Sequence, residues 1–150
     1  MPNRSVLAAL VCLLGLAISA AAGAHGPATK LHGAVTPAET QAFDEARPAF
    51  ERHCFRCHSR DVQHTKDAKA KPKAKALSHL DMTAYPFGGH HAGAAGAAVL
   101  EALGVGPQPT RAIMPPDKPG SVPADDLRLI RAWAEAFAAA HGPDAGAASK

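Results

Sequence analysis

Five consecutive residues, Cys54-Phe55-Arg56-Cys57-His58, constrain this chain more than any other feature. Two thiols three positions apart lie along one turn of helix, and an imidazole follows the second directly. That spacing lets both sulfurs add across the two vinyl groups of a haem, while His58 reaches the iron from the same side. One covalent haem c, with its iron, is therefore the expected cofactor, held by Cys54, Cys57 and His58. Three other uses of the motif compete. A thioredoxin-like redox pair sits between a strand and a helix, and no such βαβ pattern surrounds residues 54–58. A zinc knuckle needs a second pair of ligands; no further cysteine follows, and His90 and His91 would serve awkwardly. A structural disulfide would make no use of His58.

A cofactor would also answer a shortage. Apolar residues make up 47% of the 150, but alanine supplies 35 of them. From His25 onward Leu, Ile, Val and Phe total only 19 of 126 residues, below the rough 20% at which a chain struggles to bury a core unaided. The formal net charge is +3, so self-repulsion does not explain the poverty. Such a chain needs a cofactor, a metal, disulfides or a partner. If a haem supplies the missing interior, its loss should prevent folding. A polytopic membrane protein, a multidomain enzyme and a β-sandwich are all disfavoured at this length and with so few β-branched residues.

Residues 1–24 read as a secretory signal peptide. Arg4 opens it, Val6 to Ala22 is apolar apart from Gly15 and Ser19, and Ala22-Gly23-Ala24 offers a small-x-small cleavage site. The competing reading is an uncleaved anchor, but an apolar run of roughly 17–19 residues is at the low edge for a span and no basic stop follows. Cys12 comes after Val11 rather than a small residue, which disfavours lipid attachment. The expectation is an exported, periplasmic protein with no stable membrane span after cleavage. From His25 onward there are 15 basic and 13 acidic residues, a balance that gives no sign of a nucleic-acid partner.

Along the rest of the chain, residues 25–35 read as a flexible leader and 36–142 as one domain. Thr36-Pro37-Ala38-Glu39 is a capping-box signature with proline at the first helical position. The helix it opens carries Phe43, Ala46 and Phe50 as one stripe, and Pro48 is expected to kink or split it. Residues 66–75, rich in lysine and alanine, read as an exposed insertion loop. An irregular segment follows from His79 to Phe87, then a helix from Ala92 to Leu103 that ends at Gly104. Gly93 and Gly96 in that helix leave room for another helix or a porphyrin. Six prolines stiffen residues 106–123. A last helix opens near Pro123, with Asp125 and Asp126 at its positive end and Leu127, Ile130, Ala134 and Phe137 as its stripe, Trp133 adjoining. His141-Gly142-Pro143 stops it, and 143–150 reads as a disordered tail.

Three of these elements carry a resemblance: Ala-Arg-Pro-Ala-Phe-Glu-Arg-His-Cys-Phe-Arg-Cys-His (46–58), Ile-Met-Pro-Pro (113–116) and Leu-Arg-Leu-Ile-Arg-Ala-Trp (127–133). With them the chain resembles the monohaem, class I-like cytochromes c of exported bacterial electron-transfer chains. The resemblance implies an all-α fold wrapped around one covalent haem and single-electron transfer as its work, in an electron carrier rather than an enzyme. Its partners would be donor and acceptor redox proteins. The stretch 66–75 departs from a compact member of that family.

The second axial ligand decides the chemistry. Met114 leads, 56 residues after His58 in a proline-braced loop, and a soft thioether there raises the potential relative to two histidines. The only other methionine after the leader is Met82. His90 and His91, beside flexible glycine, are the alternatives, and a water-filled site is the third. His53, His64 and His79 carry less weight. Arg56, Arg60, Tyr85, Arg111 and Trp133 include candidate partners for the haem propionates. Lys66, Lys69, Lys71, Lys73 and Lys75 offer a docking face that would steer an acidic redox partner; the competing reading is a merely soluble loop. The competing functional reading is a haem-binding subunit of a larger oxidoreductase, or a sensor or enzyme with a bis-histidine or open iron site. Against two versions of it, the motif lies far from the carboxyl terminus, where a cytochrome c′ carries it, and no second pentad exists for a dihaem peroxidase.

Overall fold

The computed structural model describes residues 34–61, 74–108 and 110–142. The expected signal peptide, residues 25–33 of the leader, the lysine-rich stretch as far as 73 and the tail 143–150 lie outside the described residues. Within them the chain is helical, with one isolated bridge between Asp81 and Gly88. The helices are α1 (Pro37–His53), α2 (Phe55–His58), α3 (Ala74–His79), α4 (Ala95–Ala102, preceded by a 3₁₀ turn over Ala92–Ala94) and α5 (Ala124–His141). The all-α expectation holds at this level.

The amino end of α1 forms as its sequence requires. Glu39 N–H donates to Thr36 Oγ1 at 3.1 Å, and Thr36 N–H reaches Glu39 Oε2 at 3.5 Å. Two orphan donors of the first turn are thereby satisfied. The helix does not split at Pro48. It runs unbroken to His53, with Pro48 on the solvent side. The flanking Ala46, Ala49 and Phe50 are fully buried against the rest of the molecule, and that packing offsets the lost i→i−4 bond. The break comes six residues later, at Cys54.

α5 packs along α1, and α4 packs on α5. Phe43, Phe50, Ile130, Trp133 and Phe137 fill the seam. Phe50 meets Trp133 edge to face, with centroids 5.0 Å apart at 88°, the arrangement ring quadrupoles favour. Phe87, from the segment between α3 and α4, inserts edge-on to both Phe43 and Phe50 at 5.6 Å. Leu100 and Leu127 pack at the margin of this core rather than inside it. Gly96 explains why α4 can lie so near α5: a Cβ there would stand 3.1 Å from the Ala134 carbonyl oxygen. Its partner is thus a helix, not a porphyrin.

Two stretches depart from the sequence reading. Ala74 and Lys75 belong to α3, not to a loop, because Leu77 is buried and gives the lysine-alanine run an anchor. The Ala92–Leu103 segment is two pieces, a 3₁₀ turn and then α4, since no capping side chain starts a longer helix there. Met82 is 3% exposed and is core.

Candidate functional site

The turn that carries Cys54, Cys57 and His58 starts where α1 stops. Cys54 has φ −119°, ψ −45°, and its N–H still donates to the Phe50 carbonyl at 2.7 Å. The N–H groups of Cys57 and His58 both donate to the Cys54 carbonyl, at 3.1 and 3.0 Å. Both cysteines and His58 therefore sit on one tight turn, anchored by the buried Phe55. The two thiols are not joined to one another. Burial, and secondarily the neighbouring Cys57, pushes the Cys54 thiol up to about 12. A redox-active thiol pair depends on the opposite shift, toward thiolate.

His58 is gripped from behind. Its Nδ1 lies 2.8 Å from the Leu80 carbonyl oxygen. A carbonyl only accepts, so Nδ1 carries the hydrogen and the lone pair of the neutral ring sits on Nε2. The His58 carbonyl in turn accepts from Met82 N–H at 2.6 Å. One short stretch, 80–82, thus holds both the ring and the backbone of His58.

Met114 lies in a loop bound to the end of α4 and to the turn that carries Cys54, Cys57 and His58. The N–H groups of Ile113 and Met114 both donate to the Ala102 carbonyl, at 2.9 and 3.0 Å, and Gly120 N–H closes on the Met114 carbonyl at 3.2 Å. At Gly104 (φ +72°) a Cβ would stand 2.8 Å from Ala112 N and from the Thr110 carbonyl oxygen, so only glycine lets the loop cross there. Arg56 Nη2 donates to Asp117 Oδ2 at 2.8 Å, tying the loop to α2. Hydrogen bonding to Arg56 holds the Asp117 carboxyl below its usual range. Met114 is half-buried against the core, whereas Ile113 is 61% exposed.

The structure gathers the other histidines differently. His90 and His91 join His79. Their N–H groups donate to the carbonyls of Ser78 and His79, each at 3.0 Å, and the three rings cluster. His53 sits 2.7 Å from Asp126, which also takes a two-point contact from Arg52. His64 lies outside the described residues.

Most propionate candidates have protein partners. Arg56 bonds Asp117, and Arg60 bonds Asp81 at 3.0 Å. Tyr85 O–H donates to Glu39 Oε1 and accepts from Trp133 Nε1–H at 3.0 Å. Burial first, and then Glu39, raise the Tyr85 phenol above its usual range. Arg111 is exposed. Tyr85 and Trp133 thus belong to a buried network centred on Glu39, whose Oε2 is 3.0 Å from His141 Nε2. Sequence reasoning missed Glu39 and His141 in this role. Glu39 carried only a capping signature, and nothing local marks a pair 102 positions apart.

Among the described residues no helix is long and apolar enough to cross a membrane. No protein-family model, curated protein or solved structure matches the chain.

Proposed function

We propose that the chain is an exported, periplasmic monohaem cytochrome c that carries single electrons between redox proteins. The observation that carries this reading is the His58 ring, which donates through Nδ1 to Leu80 and leaves Nε2 for a metal. Metal-bound histidines characteristically use the second nitrogen in this way. The donor set fits the group: two thiols on one turn, an imidazole of fixed tautomer after them, and a thioether on a loop tied back to the same turn through Arg56 and Asp117. Cys54 and Cys57 would hold the haem covalently, His58 would bind its iron, and Met114 would be the second axial ligand. When bound, the haem supplies one-electron chemistry at iron.

The protein's own part is placement. Leu80 and Met82 fix His58, and the Ala102 carbonyl, accepting from the N–H groups of Ile113 and Met114, fixes the backbone of Met114. Phe43, Phe50, Trp133 and Phe137 keep water from the interior between α1 and α5. The raised Cys54 thiol argues against a thiol-disulfide enzyme. The clustering of the His90 and His91 rings with His79 supports Met114 as the second ligand in their place.

The deciding measurement is the ferric optical spectrum of the secreted protein and of Met114→Ala. The weak red-edge sulfur-to-iron band should be present in the first and absent in the second, with haem still attached. A wild-type spectrum without it assigns the second position to His90, His91 or water, and the protein to the sensor or enzyme class.

A further inference from the structure

We infer that His79, His90 and His91 form a second metal site, separate from the attachment turn, for a first-row divalent cation of the zinc type. This goes beyond the haem reading and uses none of its ligands. Ring nitrogens of the three residues all lie within 4.8 Å of one another. One pair, His79 Nδ1 and His91 Nε2, is 3.4 Å apart. Tetrahedral zinc with Zn–N of about 2.0–2.1 Å requires ligand atoms about 3.3–3.4 Å apart. One edge of the tetrahedron therefore already has its length, and small ring rotations bring in His90.

The backbone imposes the grouping. His79 ends α3, and the bonds from His90 and His91 N–H to the Ser78 and His79 carbonyls lay the two segments side by side. Gly89 (φ +88°) makes that approach possible, since a Cβ there would stand 2.7 Å from the His79 carbonyl oxygen. Side chains eleven and twelve positions apart are thereby held with ring centroids 4.4 and 5.5 Å apart.

The donors select the ion. Three imidazoles, with no carboxylate grouped with them among the described residues, suit zinc, copper or nickel and are poor ligands for calcium or magnesium, which take oxygen. A three-histidine set leaves a fourth position for water or an incoming ligand, unlike a closed structural site.

The test titrates Zn²⁺ into the purified, secreted full-length protein, by calorimetry and by competition with a chromophoric chelator. One equivalent should bind. His79→Ala, His90→Ala and His91→Ala should each weaken binding by more than ~100-fold, whereas His53→Gln, at a ring that bonds Asp126 instead, should not change it. Circular dichroism and the haem spectrum of the variants should match wild type. Cu²⁺ added to the wild type should give an electron-paramagnetic spectrum split by imidazole nitrogens, a readout that needs no variant. The inference is overturned if wild type binds no Zn²⁺ at micromolar metal, if binding survives all three substitutions, or if Cu²⁺ shows no nitrogen coupling. It is also overturned if losing His90 or His91 removes the low-spin haem spectrum, because that imidazole then belongs to iron. Zinc bound by a chain that carries no haem would sustain this site while ending the cytochrome reading.

Discussion

Where α1 meets α5, order comes from side chains: aromatic rings wedge edge to face, alanines let the helices close, and Glu39 draws Tyr85, Trp133 and His141 into one buried network. In segments 78–91 and 104–120, which support His58 and carry Met114, order comes mainly from the main chain. There carbonyls of Ser78, His79, Leu80 and Ala102 accept bonds from residues of another segment, and Gly89 and Gly104 permit the crossings. The first kind of order supplies stability through buried area. The second also buries Leu80, Met82 and Phe87, but its crossings set atom positions within hydrogen-bond tolerance, which is what ligands to a metal require. The frame and the site are thus built from different interactions, and each can be broken separately.

The largest break is removal of both anchors. Cys54→Ala/Cys57→Ala should be secreted at bare polypeptide mass and show no cooperative unfolding transition, because the chain is so short of large apolar residues. A cooperative transition in this variant would mean that the α1–α5 seam suffices alone. Next is the frame's polar centre. Glu39→Ala leaves the Tyr85 hydroxyl and a nearly fully buried His141 ring without their acceptor, and should cost about 2–3 kcal/mol in denaturant titration. Met114→Ala, by contrast, should alter the spectrum far more than the stability. The smallest effect concerns Asp126. The Arg52 hydrogen bond lowers its carboxyl pKa against the cost of burial, with His53 adding to the lowering. Because the folded-state value is depressed, the stabilisation is complete above the ordinary carboxylate range, near 3.9, and is lost as pH falls through the folded value. Wild type should therefore exceed Asp126→Asn in thermal midpoint at neutral pH, and the gap should close in acid. A gap independent of pH would show that the carboxylate's charge contributes nothing.

Much of the frame was legible beforehand. The capping box at Thr36, the Phe43-Ala46-Phe50 stripe, the start of α5 after Pro123 and its stop at Gly142 (φ +85°) all appear as read. Pro48 misled because propensity arguments ignore what flanking buried residues contribute. α3 was missed because a lysine-alanine run with one anchor, Leu77, shows no apolar face. Asp126 was read as a helix-end charge, yet it is 9% exposed and bound to Arg52 and His53 from α1. His90 and His91 stand together as alternatives to Met114 in the sequence, with His79 apart from them, since nothing in their spacing announces a cluster of three.

Spacing within one or two turns determined what the linear text could determine: the five residues Cys54 to His58 on one turn, the caps, the stripes and the stops. Those depend on helical geometry, which repeats every few residues whatever the rest of the chain does. Only the tertiary structure decided which distant groups meet, such as His58 with Leu80, 22 positions away, Arg56 with Asp117, 61 away, and Glu39 with His141, 102 away. Such pairs form because packing of the helices first offsets the entropy of closing long loops, and no local pattern records where that packing will bring the chain.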